Sequence, residues 1–408
     1  MDIATKIKTW AGNNLPLIFA ILRFIKPNLV LKEFALITRF SDVQEALSRP
    51  NALGVTYAEK MEKITAGSNF FLGMNDTPQY TRDVSNMRLV IRRDDLAQVV
   101  TPMVERFAEQ LVNKTAGQIE MVSQLSSIVP CQFSAAYLGV AGPSQIELFD
   151  WTSSMFAYLF YPDNPPEVDQ AALANSVKTC AYLDQLIAQR KQAIRQNTAS
   201  SQVSDDVLSR CLQLQASGTP GMSDLDIRNN LIGIIIGLMP TTSKCAVLVI
   251  DYLLDHPALL AEAQAAALQD DNEKLRKFVL EALRFNSFGA GIFRIANEDY
   301  VIASGSLRAK KIKKGTKVLV ALQSAMLDGR ALDDPKSFRL DRPDYHYMHF
   351  GYGMHTCFGQ YINMVQIPMI IKALLRKKNL RRVPGEDGKV SYQNSFPTSL
   401  HLAFDHVS

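Results

Sequence analysis

The stretch Leu231-Ile232-Gly233-Ile234-Ile235-Ile236-Gly237-Leu238-Met239 is apolar on every side of a helix, and it lies within a helical pattern from Ser223 to His256. A helix without a polar face must be surrounded by other elements or by lipid. Asn229, Asn230 and Lys244 bracket a run too short to cross a bilayer. The expectation is therefore a central helix buried in a large core, which a chain of 408 residues is long enough to build. Pro240 sits in the middle of this pattern. It removes one backbone hydrogen bond and crowds the Ile236 carbonyl, so the helix is expected to kink or open there, with the Thr241 and Thr242 hydroxyls offered at the opening.

Helical periodicity recurs at about Asp95 to Leu111, Ala172 to Gln196, Pro257 to Leu268, Asn272 to Phe285 and Gln360 to Lys377, while β-like stretches are confined to Phe34–Thr38, Tyr300–Ile302 and Lys317–Ala321. The fold class read from this is mainly α with small β-sheets. Neither a repeat nor a low-complexity linker divides the chain, so one domain over 1–408 is expected, with 1–30 as an N-terminal extension carrying a helix. The apolar run Leu15 to Ile25 follows Lys6 and Lys8 but is too short to span a membrane; it reads as a packed or surface helix, with contact to a membrane or a greasy substrate as the rival. Loops are expected at Pro162–Val168, Asn197–Asp205 and Ala325–His349. The last is unusually long for a structureless segment of a compact domain, which marks it as functional.

The net charge is only +4, which argues against nucleic acid as the main partner. Five cysteines, at 131, 180, 211, 245 and 357, are scattered without a Cys-x-x-Cys pair, which fits a reducing cytoplasm better than a disulfide framework. Cys357 differs from the others. It stands in Phe350-Gly351-Tyr352-Gly353-Met354-His355-Thr356-Cys357-Phe358-Gly359, one thiol framed by three glycines, with no partner near in sequence for zinc or a disulfide. Such a segment reads as a single-ligand site needing backbone N–H groups close to sulfur; a structural cysteine in a glycine-rich turn is the alternative.

These residues carry a resemblance. The segment from Phe350 to Gly359 matches the Phe-x-x-Gly-x-His/Arg-x-Cys-x-Gly heme loop of the cytochrome P-450 superfamily at Phe350, Gly353, His355, Cys357 and Gly359. Glu281-Ala282-Leu283-Arg284 resembles the family's Glu-x-x-Arg motif, whose i,i+3 spacing puts both side chains on one helix face. Arg342 is then the third partner, from the irregular loop before the cysteine. Arg294-Ile295-Ala296 resembles the strand that offers an arginine to a heme propionate.

The resemblance implies a cytochrome P-450 fold with the long buried helix over heme b. It also implies Cys357 as the iron's axial thiolate. Further implied cofactor contacts come from His355, Arg294, Phe350, Gly351, Gly359 and, on a shifted helix, Arg88. Leu238, Phe288, Ile292, Phe293, Phe396 and Pro397 are the expected pocket lining. Implied partners are a small hydrophobic or aromatic substrate, dioxygen or peroxide, and a ferredoxin with its reductase; membrane contact is not expected. The basic residues Arg376, Lys377, Lys378, Arg381 and Arg382 either steer such an acidic partner or form a solvated helix end.

Three departures matter. Where the family usually reads Ala/Gly-Gly-x-Asp/Glu-Thr, this chain reads Gly237-Leu238-Met239-Pro240-Thr241, so the alcohol is kept and the acid is lost. The usual His and Arg of the helix after Asp76 are Tyr80 and Val84. Asn286-Ser287-Phe288-Gly289 replaces the usual proline after Glu-x-x-Arg. Three functions follow: an oxidase or monooxygenase, radical coupling included; a peroxide- or hydroperoxide-using peroxygenase, isomerase or lyase; and a non-catalytic heme protein.

Overall fold

A computed structural model describes residues 14–161, 164–196, 204–393 and 395–405. These form two compact units, Met1–Thr56 with Leu280–Phe358, and Tyr57–Val279 with Gly359–Ser408.

The first unit is organised by a five-stranded sheet in the order Asn28–Val30, Phe34–Ile37, Lys317–Val320, Ile292–Ala296, Leu53–Val55. All pairings are antiparallel except Phe34–Ile37 with Lys317–Val320. Ala35, Ile37, Val318, Val320 and Ala296 enter a core shared with Val43, Ala46 and Leu47 of the helix Phe40–Leu47. Gly291, just before a sheet strand, has no room for a side chain: a Cβ would lie 2.0 Å from the Val320 carbonyl oxygen. The run Leu15–Ile25 is a helix, with Phe19 buried against Leu36 and Ala321. Leu17, Ile21, Phe24 and Ile25 on it are exposed. Lys6 and Lys8 lie outside the described residues.

The second unit is mostly helical. The long helix Asp224–Leu254 starts at a reciprocal cap: the Ser223 hydroxyl accepts from the Asp226 N–H at 3.2 Å and the Asp226 carboxylate accepts from the Ser223 N–H at 3.0 Å. Its apolar core run is buried as expected except at Ile234 and Gly237. Gly233 lets Phe70 close on the helix, since a Cβ there would lie 2.3 Å from the ring. Pro257–Leu268 and Asn272–Phe285 have the expected bounds, and Gln360–Leu375 ends two residues early.

The long helix runs on through Pro240 to Leu254. Two expectations need correction. The pattern from Asp95 is a π-helical turn, Leu96–Val100, followed by an α-helix, Thr101–Asn113. Pro102 has no N–H to continue an upstream ladder, and Thr101 N–H reaches Leu96 O instead. The loop expected to Val168 becomes helix at Pro166, because proline suits a first turn and Glu167 and Asp169 favour it. Of the Asn197–Asp205 loop, 197–203 lie outside the described residues, as do 162–163.

Candidate functional site

In the first unit, Cys357 ends a tight chain reversal. Its N–H donates to the Phe350 carbonyl at 2.8 Å, Gly351 N–H to Met348 O at 3.0 Å, and Thr356 N–H to Gly353 O at 3.1 Å. Gly351 and Gly353 have φ of +75° and +73°, a backbone region that favours glycine. A Cβ at Gly353 would also lie 2.7 Å from the Leu47 carbonyl oxygen, so the second glycine has two reasons to be there. At Gly351 a Cβ would meet nothing nearer than 3.8 Å. Cys357, His355 and Phe350 are half-buried. Gly359 caps the helix Gln360–Leu375 and accepts from Asn363 N–H at 2.9 Å.

Glu281, Arg284 and Arg342 come together in the same unit, with Glu281 and Arg284 wholly buried and Arg342 nearly so. Arg284 clasps the Glu281 carboxylate from Nε at 3.0 Å and Nη2 at 2.8 Å, and Arg342 Nε stands 3.1 Å from Glu281 Oε1. Tyr347 Oη–H and Arg339 N–H also donate to this carboxylate. The outer guanidinium nitrogens reach backbone. Arg284 donates to the carbonyls of Met326, Pro335 and Ser337, and Arg342 to those of Asp333, Asp334 and Ser337. The long loop before the cysteine is thus ordered by side-chain donors where strands or helices would otherwise satisfy its carbonyls. His349 adds a bond to the Leu280 carbonyl at 2.8 Å, and burial pushes its pKa down to about 4.

Arg294, 4% exposed, donates to the Phe293 carbonyl at 3.0 Å. Ile292 packs on the unit's core, whereas Phe293 lies under the Lys317 ammonium at 4.6 Å. Successive strand residues point to opposite faces, so Ile292 and Phe293 lie on opposite faces of the sheet. The same alternation separates half-buried Phe396 from buried Pro397.

In the second unit, every residue from Ile227 to Ile250 is buried except Ile234, Gly237, Thr241 and Cys245. Spacings of three, four and four place these on one helix face, and a Cβ at Gly237 would meet nothing within 4 Å. The helix therefore opens along one strip. Thr241 is on it, with its hydroxyl donating to the Gly237 carbonyl at 2.5 Å. Thr242 is not: it is wholly buried and donates to the Asn363 side-chain oxygen at 2.9 Å. Pro240 and Leu238 are buried beside the strip.

Arg88 is exposed on the helix Pro78–Val90, whose inward positions include Asp83, Val84 and Met87. Of the basic residues near the C-terminus, Arg376 pairs with Glu105, Glu109 and Asp270, Arg382 with Asp251 and Asp255, and Arg381 with Asp405. Much of their charge is spent inside the fold.

Lys244 was missed. It is 6% exposed on the long helix, and its Nζ lies 5.5 Å from the Phe396 ring centroid. Burial pushes its pKa down to about 8. The available signal was a lone lysine between apolar helical stretches.

The family model described as cytochrome P450 matches residues 29–402. The chain is 22% identical over 388 residues to a bifunctional dioxygenase–epoxy alcohol synthase of Pyricularia oryzae, covering 87% of this chain but 33% of that protein. It is 24% identical to a steroid C26-monooxygenase of Rhodococcus jostii, covering 83% of this chain and 68% of the other. This chain thus spans about a third of the first relative's length and about two thirds of the second's. Among solved structures, a cytochrome P450 from Chondromyces apiculatus superposes with a TM-score of 0.77 at 21% identity, covering 98% of this chain and 97% of that one.

Proposed function

This chain belongs to the cytochrome P450 family, and from that premise we propose that it is a monooxygenase of an apolar molecule, with Cys357 as the thiolate ligand of its heme b. The observation that carries this reading is the open strip on an otherwise buried helix, because it leaves Thr241 accessible beside free space at Gly237.

The residues present fit the cofactor. Among the described residues no group of three or more His, Cys, Asp or Glu side chains could hold a metal ion, whereas a heme iron asks the protein for a single ligand. Cys357 supplies one thiol, on a turn that leaves space at Gly351. Arg294, a buried guanidinium, and His355 are suited to the acidic edge of such a group. Heme held by a thiolate supplies dioxygen binding and O–O cleavage, to which the thiolate contributes electron density.

The protein's own part is to exclude water, orient substrate and hold protons. Leu238 presents an apolar flank. Thr241 is the proton-holding group of the strip; its hydroxyl rests on the Gly237 carbonyl and must rotate away to pass a proton on. Pro240 has no proton to give. The electrons come from a separate ferredoxin-type protein, although Arg376, Arg381 and Arg382 lend little free charge to its docking. None of the five cysteines is in a disulfide, which suits a reducing cytoplasm.

Pro240 favours one second reading. A peroxide or hydroperoxide brings its own O–O bond and relaxes the need for the missing acid. The test is product formation by purified protein from an apolar substrate panel, with dioxygen plus a reducing partner and, separately, with hydrogen peroxide alone. Turnover with dioxygen that falls on Thr241→Val is the expected result. Turnover with peroxide only replaces the first reading with the second. The reduced carbon monoxide spectrum tests the ligand: a histidine-type heme band would remove Cys357 from its role.

A further inference from the structure

A cavity of about 160 Å³ in the first unit is lined by three guanidiniums, those of Arg39, Arg308 and Arg330, and by one carboxylate, that of Asp328. Arg39 immediately precedes the helix Phe40–Leu47, and Arg308 stands in the connection between the strands Tyr300–Ile302 and Lys310–Ile312. Two of these four groups are already satisfied. Arg308 holds the Asp42 carboxylate, from Nε at 2.9 Å to Oδ2 and from Nη2 at 2.9 Å to Oδ1. Asp328 is buried and accepts from the Phe40 backbone N–H at 3.1 Å and the Arg330 backbone N–H at 3.2 Å. The other two guanidiniums are not answered. Among the described residues Arg39 makes one side-chain hydrogen bond, from Nε to the Arg23 carbonyl at 3.2 Å, and no ion pair. The Arg330 guanidinium comes no nearer to a carboxylate than 4.0 Å, at Asp328 Oδ1. Burial, and then the like charges of Arg330 and Arg308, lower the pKa of Arg39.

We propose that this cavity binds a phosphate-type dianion, inorganic phosphate or the phosphoryl group of a small monoester, held by the Arg39 and Arg330 guanidiniums. A guanidinium offers a planar fork of N–H donors and no acceptor, and a phosphoryl group offers several oxygens that accept such forks two bonds at a time. Two negative charges match the two guanidiniums left over, whereas a monocarboxylate matches one. Arg308 completes the positive wall and keeps its pairing with Asp42. Asp328 opposes the anion least where it is, because backbone N–H groups already occupy both of its oxygens. Arg330 is exposed and Arg39 half-buried, so the site is reached from solvent and its affinity is screened by salt. The site is independent of the heme and of the reaction proposed above.

The test is calorimetric titration of heme-loaded protein at low, fixed ionic strength and about pH 8, where phosphate carries nearly its full second charge. The probes are inorganic phosphate, glucose 6-phosphate and, as the singly charged control, acetate. The wild type binds at least one of the two phosphates at a single site, about tenfold or more tighter than acetate. Tighter binding of inorganic phosphate assigns the site to the free ion; equal or tighter binding of glucose 6-phosphate assigns it to a monoester. Arg39→Gln weakens phosphate binding about tenfold, and Arg330→Gln, at the more exposed position, about threefold or more. The two variants are separate, so that either reports if the other does not fold, and each keeps the wild-type carbon monoxide spectrum. The proposal is overturned if neither phosphate binds better than acetate, or if both variants keep the wild-type phosphate affinity.

Discussion

Glu281 shows how a single carboxylate can organise a segment that has little secondary structure. It is fully buried and answered by two guanidiniums, a phenol and a backbone N–H. Taking one partner from a buried pair leaves an uncompensated charge, which typically costs about 3–5 kcal/mol. Glu281→Gln should therefore lower unfolding stability by about that much in urea titrations, with the loop from Met326 to Ser337 gaining amide exchange first. A loss under about 1 kcal/mol would mean that the loop carbonyls, not the charge, hold the arginines in place. The i,i+3 spacing made the Glu281–Arg284 pair readable. The carbonyls they order were not, because a side chain's distant acceptors leave no local pattern. Lys244 was visible only as an interruption of an apolar run; what it packs on, Phe396, is more than a hundred residues away.

At the scale of the element, the long helix accommodates Pro240 without a break. Proline forgoes the N–H that would bond to the Ile236 carbonyl, and an interior proline costs about 3 kcal/mol relative to alanine. Pro240→Ala should therefore raise the thermal midpoint, with a stability gain of about 1–3 kcal/mol. An unchanged midpoint would show that the Ile236 carbonyl already has another partner. Periodicity identified this helix, and its capping box matched the start to Ser223. Periodicity did not separate Thr241 from Thr242. Neighbouring residues on a helix differ by about 100°, and which of them meets open space depends on what packs around the helix. The Gln360–Leu375 helix, which receives Thr242, supplies that answer.

For the molecule as a whole, acid stability follows from His349. Its folded pKa is near 4, against an ordinary value of 6.5. Between those values the unfolded chain binds more protons, so stability present above about pH 6.5 is lost as pH falls toward 4, by up to about 3 kcal/mol. Urea midpoints at pH 7.5 and pH 5 should differ in the wild type, and the difference should shrink in His349→Gln. An equal difference in the variant would assign acid sensitivity to other groups.

The sequence by itself determined the helical class, the long buried helix, the glycine-framed cysteine turn and the acid–arginine pair, because each is written in spacings of a few residues. Only the tertiary structure decided that Thr241 is open and Thr242 closed, that Arg88 is exposed, that Ile292 and Phe293 part company across a sheet, and that Lys244 packs on Phe396. Those outcomes depend on burial, and burial is set by neighbours brought from far along the chain.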